Sequence, residues 1–156
     1  MITEHHLQRA FSFIRDKGGV IDTVGALKNE RDKIEIQMIE LISEFKSSFR
    51  PPWKSHLAMQ RVARGGVYLR WRAAGKRGKG QTFFELFDSD RGKEILDQQS
   101  DNVLEAFLAF EKKRIELNLT HSLTTGVWLR LRKHMRQLDI IERHENVCSD
   151  AIYYDG

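Results

Sequence analysis

The chain has one cysteine, two prolines and no long apolar run among its 156 residues. Cys148 alone cannot close an internal disulfide, so a reducing, cytoplasmic setting is expected. No window holds about 18 uninterrupted apolar residues, which argues against a helical membrane span. The opening "MITEHHLQRAFSFIRDKGG" lacks the apolar stretch of an export signal.

Recognisable catalytic and metal patterns are also scarce. "GKRGKG", residues 75–80, sits between two strand-like runs and does not open a helix, so it fits neither phosphate-loop pattern. No G-x-S-x-G occurs. His5 and His6 are adjacent rather than one turn apart, a poor chelating geometry. His144 and Cys148 have the spacing of two metal ligands, but further ligands are missing. His121 lies among Thr120, Ser122 and Thr124, and these side chains are expected to satisfy one another and the backbone. Glu111 and Glu116 alternate with Lys112, Lys113 and Arg114, the pattern of surface ion pairs. No enzyme, metal or cofactor is expected.

The most telling absence is of acid. Between Phe45 and Phe84 there is no Asp or Glu, while Lys46, Arg50, Lys54, Arg61, Arg64, Arg70, Arg72, Lys76, Arg77 and Lys79 all fall there. Those are ten positive charges; subtracting them from the overall +4 leaves the rest of the chain at −6. A basic middle in an acidic frame points to a polyanion-facing surface.

The periodicities predict an α+β fold, mostly helical: a long antiparallel helix pair with one central β-hairpin, in a single domain over 1–145. Leu7, Ala10, Phe11 and Ile14 predict a helix over 4–17, with Thr3 as its cap and Gly18-Gly19 as its stop. Val24, Leu27, Ile34, Met38, Leu41 and Phe45 predict a second over 22–46, ended by Pro51-Pro52. "PPWKSHLAMQRVARGG" reads as a connector. A hairpin is predicted over 66–87, with Val67, Leu69 and Trp71 facing the core and Tyr68, Arg70 and Arg72 facing outward. Its register would set Phe84 beside Trp71, Glu85 opposite Arg70 and Phe87 opposite Tyr68. Residues 90–145 read as helical from a Ser89 cap, with "THSLTTG" as a kink or break, and 146–156 as a flexible tail.

The hairpin carries the functional expectation. Lys and Arg neutralise phosphates, and an aromatic such as Tyr68 can stack on a base. The expected nucleic-acid-binding residues are Arg61, Arg64, Tyr68, Arg70, Arg72, Lys76, Arg77 and Lys79, extended by Arg130 and Lys133 if the last helix packs beside the sheet.

"VYLRWR" at 67–72 and "EKKRIELNLTHSLT" at 111–124 resemble a protein family of integrating conjugative elements, which are bacterial mobile DNA elements. "FIRDKGGVIDTVGALKNERDKI" at 13–34 is similar to that family more loosely. Its genes lie near those for single-strand DNA-binding protein and topoisomerase III. The resemblance implies a role in DNA processing, maintenance or transfer, with one of those proteins as a partner. It assigns no catalytic residue. The expected function is thus a non-catalytic, DNA-binding accessory protein. The alternative is a helical adaptor for replication or transfer proteins, with a homodimer through strand or coil pairing among its forms.

Overall fold

Asp16 begins the first long helix. In the computed structural model, which describes residues 11–73 and 82–154 with side chains to 148, one 3-10 turn (Ser12–Arg15) precedes it. Asp16 is extended (φ −133°, ψ 151°), and its Oδ1 accepts the N–H of Gly19 at 2.6 Å. That is an N-cap, and it satisfies a donor the first turn would otherwise leave unpaired. Helix α1 then runs Lys17–Ser48. Gly18-Gly19 therefore opens a helix instead of closing one. Gly19 is needed for close approach, because a Cβ there would lie 2.7 Å from the Phe13 carbonyl oxygen. Residues 4–10 and Thr3 of the expected first helix lie outside the described residues.

The stretch read as a connector contains a strand. β1 (Ser55–Arg61) pairs antiparallel with β2 (Val67–Ala73) over its whole length, from Ser55↔Ala73 to Arg61↔Val67. Their turn is closed by the Val62 N–H donating to the Gly66 carbonyl at 2.9 Å. Arg64 (φ 62°) and Gly65 (φ 79°) both adopt the left-handed conformation there, costly for Arg64 and free for Gly65. β3 (Phe83–Phe84) adds to the other edge of β2, so the sheet order is β1-β2-β3. The hairpin expected over 66–87 exists with Phe84 opposite Trp71, but only two residues of β3 pair. The chain then bends, Phe87 stays exposed, and the pairing of Phe87 with Tyr68 does not form.

The helical region after Ser89 is two helices. α2 (Asp90–Leu96) is capped by Ser89, whose Oγ accepts the Gly92 N–H at 3.0 Å. α3 runs Asp101–Tyr154. "THSLTTG" neither breaks nor ends it; Thr120 returns its hydroxyl to the Glu116 carbonyl at 2.8 Å and so stays within the helix. No proline or glycine follows Gly126 until Gly156, so nothing stops the helix at 145, and the expected flexible tail is helical backbone to Tyr154.

The described chain divides into two compact units. Arg31–Leu123 holds the sheet and the main core. There α1 contributes Ile34, Met38, Leu41 and Phe45, α3 contributes Phe107 and Phe110, and the sheet contributes Leu57, Val67, Leu69 and Trp71. Within this unit α1 and α3 run antiparallel, with Lys113 at 3.2 Å from Glu44 and His121 at 3.3 Å from Glu35. Leu108, Ile115 and Leu119 of α3 are exposed. The other unit takes the chain up to Glu30 and from Thr124 onward. In it the helix segments are also antiparallel: Lys17 pairs with Asp139 (2.8 Å) and Glu142 (2.6 Å), and Val20 and Leu131 are buried.

Candidate nucleic-acid interface

The strict alternation of β2 divides it. Val67, Leu69, Trp71 and Ala73 are buried, whereas Tyr68, Arg70 and Arg72 are half-buried. Cross-strand pairing completes the outward face. His56 stands opposite Arg72, Ala58 opposite Arg70, Gln60 opposite Tyr68, and Phe83 opposite Arg72. No carboxylate occupies any of these positions.

Arg70 and Arg72 converge on one ring, their guanidinium carbons 5.2 and 5.9 Å from the Phe83 centroid. Arg70 also donates to Gln60 Oε1 at 3.2 Å, and Glu85 lies 3.9 Å away at the rim. Arg72 Nε is buried and has no hydrogen-bond partner among the described residues. Burial, then the charges of Arg72 and Lys46, hold the His56 imidazole below the usual histidine value of 6.5. This histidine is therefore neutral near pH 7.

Arg61 and Arg64 stand apart from this group. Arg61 alternates with Ser55, Leu57 and Met59 onto the helix-facing side of β1, and its guanidinium pairs with Glu35 at 3.0 Å. Arg64 is exposed in the β1–β2 turn. Arg130 and Lys133 are exposed on α3, in the other compact unit. Lys76, Arg77 and Lys79 lie outside the described residues. The structure thus gathers Tyr68, Arg70 and Arg72 and adds three residues the sequence reading left out: His56, Gln60 and Phe83. The signal for His56 and Gln60 was present in "SHLAMQR", where Leu57 and Met59 alternate with His56, Ala58 and Gln60.

Beneath the outward face, the β2 edge is fixed to α3. Trp71 Nε1 donates to Glu111 Oε2 at 2.7 Å. Arg114 donates to both Glu111 oxygens (2.8 and 2.7 Å), to Glu85 (3.3 Å) and to the Leu69 carbonyl (3.2 Å). Glu111 and Arg114 are thus not the surface pair their spacing suggested; Arg114 is buried. Burial alone would raise the Glu111 carboxyl, but hydrogen bonds from Arg114 and Trp71 outweigh it and hold the group low. The Asn118 amide takes both polar groups of Leu69, accepting its N–H at 2.7 Å and donating to its carbonyl at 2.9 Å. Glu85 is shared between Arg70 and Arg114 and so neutralises neither alone.

His121 turns to Glu35 and is buried, while Ser122 is exposed. Burial lowers the His121 pKa, against the opposing pull of Glu35. Among the described residues no three His, Cys, Asp or Glu side chains gather to hold a metal, and no helix is long and apolar enough to cross a membrane. No family model, curated protein or solved structure matches this chain.

Proposed function

We propose that the chain is a non-catalytic DNA-binding accessory protein that holds the phosphate backbone on the outward face of its sheet. One observation carries this reading. Arg70, Arg72, Tyr68 and Phe83 share a half-exposed face that has no carboxylate among its strand positions. Arginines supply phosphate contacts, and Tyr68 and Phe83 supply ring surface on which unpaired bases stack. Single strands are the ligand such a face suits best, since a paired base hides its ring surface in the duplex. The resemblance of "VYLRWR" and "EKKRIELNLTHSLT" to the conjugative-element family supports DNA as the polymer and the processing or transfer of a mobile element as the setting.

The test is fluorescence anisotropy of the whole chain with a labelled single strand, a duplex and an RNA, each across a salt series. The reading expects tightest binding to single-stranded DNA and affinity that falls steeply as salt rises, because each neutralised phosphate releases counterions. Salt-independent binding, or none to any of the three at low salt, would overturn it.

A further inference from the structure

A second site lies in the same compact unit, its Trp53 ring 6.5 Å from the His56 ring of the outward face. A pocket of about 350 Å³ opens where the end of α1, the entry to β1 and α3 meet. Its walls are aromatic. The Phe49 and Phe107 rings stack with centroids 5.2 Å apart and planes at 17°, and Phe45 lies 4.8 Å from Phe49. Trp53 completes the wall, held by its Nε1 donating to the Phe49 carbonyl at 2.9 Å. Phe49 and Trp53 are only half-buried, so the pocket leaves ring surface open to water. Open ring surface set in a rigid wall is what an anchoring side chain covers.

The charged residues lining this pocket are Arg50 and Lys54, and both are positive. Lys54 donates to Gln98, and neither cation has an ion pair among the described residues. Ser55 also lines the pocket; it is 4 % exposed, and its hydroxyl has no hydrogen-bond partner among the described residues. A buried hydroxyl left unpaired is a cost that a ligand's polar group can remove. Gln99, the other polar lining residue, already donates to the Ile95 carbonyl at 3.0 Å.

We propose that this pocket docks an acidic peptide segment of a protein partner, with one aromatic or large aliphatic side chain inserted between Phe49, Trp53 and Phe107. The flanking carboxylates rest on Arg50 and Lys54. A nucleobase fits the walls less well. Its edge carries several polar groups, and of the neutral polar side chains lining the pocket only Ser55 lacks a hydrogen-bond partner among the described residues. A hydrocarbon ring has no such need. The proposal does not rest on nucleic-acid binding at the outward sheet face.

The experiment uses the whole chain and a fluorescein-labelled peptide, DDDFDD, with DDDADD and SSSFSS as controls. Anisotropy is expected to show DDDFDD binding at least about tenfold tighter than either control, since both anchor and charge contribute. The double variant Arg50→Glu/Lys54→Glu should weaken DDDFDD by a similar factor while its melting temperature holds. Arg50→Ala and Lys54→Ala alone should each weaken it about threefold, which keeps the test usable if the reversal disturbs folding. Arg70→Glu/Arg72→Glu should leave peptide binding unchanged. Equal affinity for DDDFDD and DDDADD would overturn the proposal, as would undiminished binding in the Arg50 and Lys54 variants. Displacement of the peptide by an oligothymidylate, with both ligands lost in Arg50→Glu/Lys54→Glu, would reassign the pocket to nucleic acid.

Discussion

The two faces of β2 are built from seven consecutive residues and do opposite things. On the inner face Leu69 and Trp71 are fully buried, and the indole nitrogen has a fixed acceptor in Glu111. On the outer face Arg70 and Arg72 crowd one phenylalanine ring, and Arg72 keeps a buried nitrogen without an acceptor among the described residues. Closely packed and fully hydrogen-bonded groups have little left to offer a ligand. Crowded cations with incomplete partners gain most when an anion arrives. If the outer face binds as proposed, one strand separates stability from binding by the direction of its side chains, and substitutions on the two faces should separate the same way.

The largest effect belongs to the inner face. Trp71→Ala removes the ring at the centre of the core and should cost about 3–5 kcal/mol in urea denaturation. A cost below about 1 kcal/mol would mean that the core closes without it. On the outer face, Arg70→Glu/Arg72→Glu should lower single-stranded DNA affinity about 100-fold at low salt and flatten its salt dependence. Its urea midpoint should stay near the wild-type value; a large shift would show that the two faces are coupled. Asn118→Ala touches the edge between them and should cost about 1–2 kcal/mol, because both Leu69 groups lose a partner.

The smallest effect is the dependence on pH. The His56 pKa in the free protein lies below 6.5, and bound phosphate should raise it. DNA affinity should therefore strengthen as pH falls through that range, and His56→Ala should remove the increment. Stability runs the other way. His56 and His121 are both lowered in the folded chain, so the unfolded chain binds their protons first and stability declines as pH drops below 6.5. Glu35 and Glu111, lowered from 4.5, contribute stability above that value, and it is lost as pH falls further. Urea midpoints measured across acid pH follow both terms.

What could be read from the chain was what lies close together in it. The alternation of "VYLRWR" assigned both faces of β2, and Phe84 falls opposite Trp71 as expected. The apolar steps from Ile34 to Phe45 marked the buried side of α1. β1 was missed because Ala58 and Gln60 are weak strand formers following two prolines, and its evidence is pairing with residues up to 18 positions away. Gly18-Gly19 misled because a glycine pair marks either helix end, and only the Asp16 carboxylate on the Gly19 N–H decides which. The basic run located the outward face, but not that Arg61 would turn to Glu35 or that Phe83 would sit between two arginines. Those facts depend on which strand lies beside which.

β3 leaves the β2 edge after two residues, and at Leu69 a single carboxamide from α3 stands where the next strand would run. An amide side chain is a peptide group detached from its backbone, so Asn118 offers Leu69 the hydrogen bonds of a neighbouring strand without offering a further edge beyond it. A sheet grows by templating, each strand presenting new donors and acceptors to the next. This one is terminated at that rung by a group that cannot be copied onward, so Leu69 presents no free rung to a further strand.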